Sequence, residues 1–150
     1  MVTPIVFIYP TTKRFFKFPQ LVLGSAFNSG IMIGFAAASC SQVVNWQVCA
    51  PFYLGGILWT LIYDTIYAFQ DREFDKRLGL NSAAIQMEER PHLYLSLLSL
   101  ASVACFGVGG FNAGFGSAYY AGLASVASHF AWQMKRLNIE SPQVCGQLFQ

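Results

Sequence analysis

Two long stretches of the chain carry no Asp, Glu, Lys or Arg, and they dominate its hydrophobic pattern. The first lies between Lys17 and Asp64, and the second lies between Arg90 and Lys135. A helix crosses the hydrocarbon core of a membrane with roughly 20 residues, and each stretch is more than twice that long. Each stretch therefore predicts two membrane spans joined by a short turn.

These two helical hairpins predict an all-α transmembrane bundle of about four spans. The predicted helices cover, in chain order, Gln20–Ser39, Val48–Phe69, His92–Phe111 and Phe115–Met134. The first turn, residues 40–47, is polar and contains Trp46 as an aromatic anchor. The second turn, Asn112-Ala113-Gly114, has a composition suited to a tight reversal.

Composition and charge placement agree with a membrane protein. The chain is 55% hydrophobic and 11% charged, with a mean hydropathy of +0.45. A soluble domain usually carries about 25% charged residues. All nine Lys and Arg residues precede the first predicted helix, separate the second from the third, or follow the fourth. Four spans would place these segments on one face, which the positive-inside rule assigns to the cytoplasm or the mitochondrial matrix. We therefore expect a lipid bilayer as partner and, at a net charge of +2, no nucleic acid.

The beginning of the chain is apolar but too short to span a membrane. Residues 1–10 also lack the basic start of a signal peptide and the Arg- and Ser-rich character of a transit peptide. This segment is typical of the end of an earlier helix, so we expect the chain to be part of a longer domain.

The four cysteines show no CxxC spacing, which argues against a zinc site. Cys40 and Cys49 both flank the first turn and would be able to pair on an oxidising side of the membrane. Unpaired thiols are the favoured interpretation.

Three aspartates lie near the end of the second predicted helix. On one continuous helix, Asp71 and Asp75 would each lie within about 20° of Asp64, so the three would form a stripe from the bilayer to its surface. An aspartate inside a membrane is costly and indicates a functional site. Mg²⁺ takes oxygen ligands, often one or two carboxylates with water and substrate phosphates, so the stripe predicts a site for Mg²⁺ and a lipid diphosphate. The alternative, a solvated helix end with i,i+4 ion pairs, does not account for Asp64.

The same residues resemble a known family. Tyr63-Asp64-Thr65-Ile66-Tyr67-Ala68, followed by Gln70-Asp71 and Asp75, resembles the second aspartate-rich motif of the UbiA superfamily of membrane prenyltransferases. Three earlier segments resemble the part of that family that precedes the motif: Tyr9-Pro10 with Lys13-Arg14, Pro19-Gln20-Leu21-Val22-Leu23-Gly24, and Phe27-Asn28-Ser29-Gly30.

The resemblance implies a fold of eight or nine helices, of which this chain would supply the C-terminal part. It implies Mg²⁺-dependent transfer of a polyprenyl group from polyprenyl diphosphate to 4-hydroxybenzoate in ubiquinone biosynthesis. The expected location is the mitochondrial inner membrane in a eukaryote or the plasma membrane in a bacterium. A ubiquinone-biosynthesis complex is a further candidate partner.

The resemblance also implies roles for individual residues. Asp64, Asp71 and Asp75 would hold the metal and the diphosphate, and Asp64, the deepest, would act on the acceptor as the catalytic residue. The candidate substrate-binding residues are Lys13, Arg14, Asn28, Tyr63 and Tyr67. Each has a structural alternative, which is positive-inside anchoring for the two cations, helix pairing for Asn28 and core packing for the two tyrosines.

The chain departs from the family pattern in three ways. The family's first aspartate-rich motif, of the form NDxxDxxxD, is absent from this sequence. Phe69 stands where close relatives commonly have His, and Asn81 stands where a Lys is usual. Because half of the diphosphate clamp would be missing, we expect the 150-residue chain alone to be inactive.

Three other functions fit part of the pattern. A related transferase would use homogentisate, naphthoate or haem as acceptor. A transport or assembly subunit would use Asp64 and His129 as a polar path, with Ser125 and Gln133 extending the polar stripe around His129. A truncated product would have no catalytic function.

Overall fold

The computed structural model describes residues 18–39, 43–138 and 145, and every element of secondary structure among them is helical. The all-α prediction is therefore confirmed. The helices are α1 (Pro19–Asn28), α2 (Gly30–Ser39), α3 (Trp46–Ala68), α4 (Arg72–Arg77), α5 (Ala83–Gln86), α6 (Pro91–Asn112) and α7 (Ser117–Arg136).

The predicted helix boundaries agree with the structure to within two residues. The first predicted helix corresponds to α1 and α2, which are separated only by Ser29. The Ser29 backbone remains in the right-handed helical region, and its hydroxyl donates to the Ala26 carbonyl at 2.6 Å. The two helices therefore form a nearly continuous rod with a local irregularity.

Local chemistry explains where the other long helices begin and turn. The Asn45 side chain accepts a hydrogen bond from the Gln47 backbone N–H at 3.1 Å and so caps α3. Pro91 opens α6 at a position where its missing N–H costs nothing. Gly114, with φ of +71°, takes the left-handed conformation that ends α6, as the turn composition predicted.

The long helices pack in a row with α3 and α6 at its centre. The central helix α3 contacts α1 on one side and α6 on the other, and α6 contacts α7. Polar side chains join neighbouring helices at both contacts of α3. These bonds are Asn28 Nδ2 to Thr60 Oγ1 (3.1 Å), Tyr53 Oη to the Ser25 carbonyl (3.1 Å), Ser102 Oγ to the Gly55 carbonyl (2.9 Å) and Asn112 Nδ2 to the Gln47 carbonyl (2.7 Å).

Two segments among the described residues are long and apolar enough to cross a membrane. They are Pro19–Ser39, which combines α1 and α2, and Pro91–Asn112, which is α6. The predicted count of four spans is thus met in part, and α3 and α7 remain predicted spans. Large apolar side chains project outward from the row, with Phe27 69% and Phe111 78% exposed. An apolar surface of this kind requires lipid or further protein to cover it.

Candidate active site at the junction of α3 and α4

The helix that carries Asp64 does not continue to Asp75. α3 ends at Ala68, and residues 69–71 separate it from α4. Two shorter i to i+3 bonds form here, from Gln70 N–H to the Tyr67 carbonyl (3.0 Å) and from Asp71 N–H to the Ala68 carbonyl (3.3 Å). The predicted single-helix stripe is therefore wrong in its geometry, because the chain turns where Phe69, only 2% exposed, enters the core.

The three aspartates occupy different environments around this junction. Asp64 is half-buried in the last turns of α3, Asp71 is exposed just before α4, and Asp75 within α4 is only 5% exposed. The Asp75 backbone N–H donates to the Asp71 carbonyl (2.9 Å), and its own carbonyl accepts from Leu80 N–H (3.0 Å). Asp71 and Asp75 are thus joined through one turn of backbone, with Asp64 on the preceding helix.

The described residues do not form a metal site by themselves. Among residues 18–39, 43–138 and 145, no group of three or more His, Cys, Asp or Glu side chains is arranged to hold a metal ion. Mg²⁺ can also bind in a different mode, in which one or two carboxylates bind and water and substrate phosphates supply the other ligands.

A cluster of ion pairs borders α4. Lys76 Nζ contacts both carboxylate oxygens of Glu88, at 2.7 and 2.8 Å, and Arg72 Nη1 lies 3.5 Å from Glu88 Oε1. Glu73 lies 3.2 Å from Arg72 and 3.8 Å from Lys76. The hydrogen bond from Lys76 holds the pKa of Glu88 below its ordinary value of 4.5. Glu88 could not be identified from the sequence, since nothing in the pattern pairs residues twelve apart across a loop.

The segment between α4 and α6, residues 78–90, is docked beside this cluster. Gln20, which is 2% exposed at the start of α1, accepts a hydrogen bond from Ala83 N–H through its Oε1 at 3.3 Å. Ser82 caps the short helix α5 by accepting from Ile85 N–H, and Ser82, Ala83 and Ala84 have no exposed surface. The first turn of α1 and the charged cluster therefore hold this segment at its middle and at its end.

Gln70 places a polar donor at the junction. Its Nε2 atom is buried and has no hydrogen-bond partner among the residues that the structure describes. A buried unsatisfied donor is costly and calls for a partner such as an anionic oxygen. Gln70 lies directly before Asp71, so the junction combines carboxylates with a buried amide donor that has no partner among the described residues.

The structure describes three of the five predicted substrate-binding residues. Asn28 donates to the Gly24 carbonyl (2.8 Å) and to Thr60 Oγ1 (3.1 Å), so helix pairing, its structural alternative, is confirmed. Tyr63 and Tyr67 are 38% and 56% exposed on the described surface of α3, and both their roles stay predictions. Lys13 and Arg14 lie outside the described residues.

Contacts between residues of α7 itself account for part of the polar stripe predicted on this helix. The His129 ring stacks on Trp132 with centroids 5.5 Å apart, and the Arg136 guanidinium lies 4.9 Å from the centroid of the same Trp132 ring. Ser125 donates to the Ala121 carbonyl of its own helix at 3.1 Å. The thiols of Cys49, Cys105 and Cys145 are free, and Cys40 lies outside the described residues.

An all-helical fold with an aspartate-bearing junction agrees with the family that the motif resembles. The whole chain, residues 1–150, matches the sequence model of the UbiA prenyltransferase family, and the chain belongs to that family. The family is membrane-embedded. No solved structure matches the chain significantly.

The similar relatives share one description. The chain is 41% identical over 97% of its length to the mitochondrial 4-hydroxybenzoate polyprenyltransferase of Dictyostelium discoideum, of which it covers 31%. It is 42% and 40% identical, again over 97% of its length, to the enzymes of that name from Bos taurus and Homo sapiens, and it covers 38% of each. The chain therefore spans about a third of the length of the curated relatives that it matches.

Proposed function

We propose that this chain forms part of a Mg²⁺-dependent enzyme that transfers a polyprenyl group from polyprenyl diphosphate to 4-hydroxybenzoate in ubiquinone biosynthesis. The observation that carries the proposal is the 37% to 42% identity to 4-hydroxybenzoate polyprenyltransferases over 97% of the chain. The matched region contains Asp64, Asp71 and Asp75, whose carboxylates border the junction of α3 and α4.

The proposed chemistry assigns the diphosphate end of the donor to α4. Asp71 and Asp75 would hold Mg²⁺, which would supply positive charge to the diphosphate as it departs. The buried Nε2 of Gln70 donates to an anionic oxygen of a substrate. The allylic C–O bond of the donor breaks, and the diphosphate leaves with the bonding electrons.

We assign to residues of α3 the contacts with the allylic cation and with the acceptor. Tyr63 and Tyr67 present exposed aromatic rings near Asp64, and an aromatic face stabilises an adjacent cation. The ring carbon beside the hydroxyl of 4-hydroxybenzoate forms the new C–C bond with the allylic carbon. Asp64 then accepts the proton that this ring carbon loses, which restores the aromatic ring.

The remaining parts of the proposal concern the whole enzyme. We place the chain in the mitochondrial inner membrane in a eukaryote or the plasma membrane in a bacterium, with four spans and its charged segments on the matrix or cytoplasmic side. The first aspartate-rich motif would come from another part of an eight- or nine-helix domain. Lys13 and Arg14 would contact an anionic substrate. A ubiquinone-biosynthesis complex remains the proposed protein partner.

A chimera tests the proposed activity. In it, this chain replaces the matching 147-residue segment of the Bos taurus relative. We expect the purified chimera to prenylate 4-hydroxybenzoate only with a divalent metal, and Asp64→Asn to lower kcat by about 100-fold or more. Glu89→Gln, which removes an exposed acid, is the matched control and should leave kcat unchanged.

Two results would contradict the proposal. One is a chimera that inserts into membranes and elutes as a single species but transfers no prenyl group. The other is full activity in the Asp64→Asn variant. A parallel acceptor panel of homogentisate and a hydroxynaphthoate decides the substrate, because a preference for either would reject 4-hydroxybenzoate while retaining prenyl transfer.

A further inference from the structure

Arg72 and Lys76 are two cations of α4 that lie on the same side of Asp75 around the helix axis. At about 100° per residue, Arg72 lies about 60° and Lys76 about 100° around the helix axis from Asp75, in the same direction. Arg77, the third cation of α4, lies about 160° away on the opposite side. Arg72 therefore lies between Asp75 and Lys76 on the helix surface, and Arg77 lies on the far side.

Both cations contact the carboxylate of Glu88, which lies outside α4. Glu88 lies 2.7 Å from Lys76 and 3.5 Å from Arg72. The Arg72 side chain is only 16% exposed, so its position is well defined by its surroundings. Glu73 also contacts both cations, but its side chain is 67% exposed and belongs to the same short helix. The contact from Glu88 thus brings a negative charge to the place where a bound anion would meet the cations.

We propose that Lys76, together with Arg72, binds the diphosphate of the prenyl donor, and that Glu88 occupies these cations until the donor arrives. This inference rests on the proposed function, because that function puts a diphosphate beside Asp75. A diphosphate carries more negative charge than one carboxylate. Lys binds phosphate as a point charge and Arg binds it through paired donors, so both side chains can exchange Glu88 for phosphate oxygens.

The surrounding contacts allow this exchange without unfolding the segment 78–90. The middle of the segment is held independently, by the bond from Ala83 N–H to Gln20 and by the cap that Ser82 provides to α5. Glu88 lies beyond the end of α5 and is half-buried. Release of the Glu88 carboxylate therefore affects the end of the segment and leaves its buried centre in place.

Competition between Glu88 and the donor predicts the direction in which the affinity for the donor changes in each variant. If Glu88 competes with the donor, Glu88→Gln should strengthen binding of geranyl diphosphate in the presence of Mg²⁺ by about two- to five-fold, which corresponds to a partly exposed ion pair. Lys76→Gln should weaken the same binding by about ten-fold, because a charge-assisted bond to phosphate is lost. In the double variant, the gain from Glu88→Gln should shrink, since the principal cation that it frees is gone.

The measurement is isothermal titration of the purified chimera with geranyl diphosphate and Mg²⁺. Arg77→Gln is the control for Lys76→Gln, because it removes the same charge from the opposite side of α4. Glu89→Gln is the control for Glu88→Gln, and both controls should bind within error of the unaltered chimera. Amide exchange of Ala83 and Ala84 in each variant shows whether the segment 78–90 stays docked.

The outcomes separate this inference from the function on which it rests. Weaker or unchanged binding in Glu88→Gln, with Ala83 and Ala84 still protected, would overturn the inference and leave the function standing. Equal losses in Lys76→Gln and Arg77→Gln would also overturn it, because a general charge effect would then explain both. An unaltered chimera that neither binds geranyl diphosphate nor transfers a prenyl group would reject the proposed function, and the inference with it.

Discussion

Gly56 allows α1 and α3 to approach closely. A Cβ atom at this position would overlap the Asn28 side chain, whose amide is held by the Gly24 carbonyl and by Thr60 Oγ1. The side chain cannot move aside without losing both hydrogen bonds. A single absent side chain therefore permits the polar contact that fixes α1, and with it Gln20, against the rest of the molecule.

Gly56→Ala should destabilise the protein by about 1–3 kcal/mol, because the added methyl group displaces Asn28 from its two partners. Thermal unfolding of the chain in detergent, followed by circular dichroism, measures the change. Gly34→Ala is the control, since a Cβ there meets nothing within 4 Å. It should be neutral or stabilising by about 0.5–1 kcal/mol, as for Gly to Ala in a helix. Equal losses in the two variants would contradict the packing role of Gly56.

At the scale of the element, the junction between α3 and α4 shows what sequence periodicity can and cannot predict. The end of α3 was predicted to within one residue, as Phe69 instead of Ala68. The interruption after it was missed, because residues 70–77 are polar and charged and show no Gly or Pro that would end a helix. The turn depends on burial of Phe69 in a core formed with residues far along the chain, including Leu95 and Phe130.

Docking of the segment 78–90 should weaken at acidic pH. Lys76 lowers the pKa of Glu88, so the ion pair adds stability above the ordinary pKa of 4.5 and loses it as the pH falls through the lowered value. Arg72 is the other charged group that lowers this pKa, and it remains protonated throughout that range. We expect amide protection of Met87 and Glu88 to fall at such pH values and to vary little between pH 6 and 8.

Variants identify the group responsible for this pH dependence. Glu88→Gln should remove the acidic step and leave protection at its lower value at all pH values. Glu89→Gln should retain the step. A step that persists in Glu88→Gln would assign the effect to a different carboxylate.

At the scale of the whole molecule, the four long helices and their hairpin order could be predicted from the sequence. Long uncharged stretches and a turn with Gly114 are local signals, and they suffice for that purpose. The bond from Ala83 to Gln20 and the contact of Glu88 with Lys76 could not be predicted, because they join residues whose meeting depends on tertiary packing. The motif located the junction of α3 and α4, but the arrangement of its carboxylates required the structure.

The 150-residue chain should transfer no prenyl group by itself, even in lipid nanodiscs with Mg²⁺ and both substrates. The reason is that it lacks the family's first aspartate-rich motif, which would oppose Asp71 and Asp75, and it covers 31% to 38% of the relatives named above. The chimera, assayed in the same nanodiscs by chromatography of the prenylated product, is the positive control. Turnover by the chain alone at the rate of the chimera would show that no opposing carboxylates are needed.

The most direct test of the central claim, that Asp71 and Asp75 hold a metal-bound diphosphate, is electron paramagnetic resonance of the chimera with Mn²⁺ in place of Mg²⁺. With geranyl diphosphate present, we predict a protein-bound Mn²⁺ signal with coupling to phosphorus. Asp75→Asn should weaken the affinity for Mn²⁺ by about 10-fold or more, and Glu89→Gln should not. A phosphorus-coupled Mn²⁺ signal of unchanged affinity in the Asp71→Asn/Asp75→Asn double variant would contradict the claim.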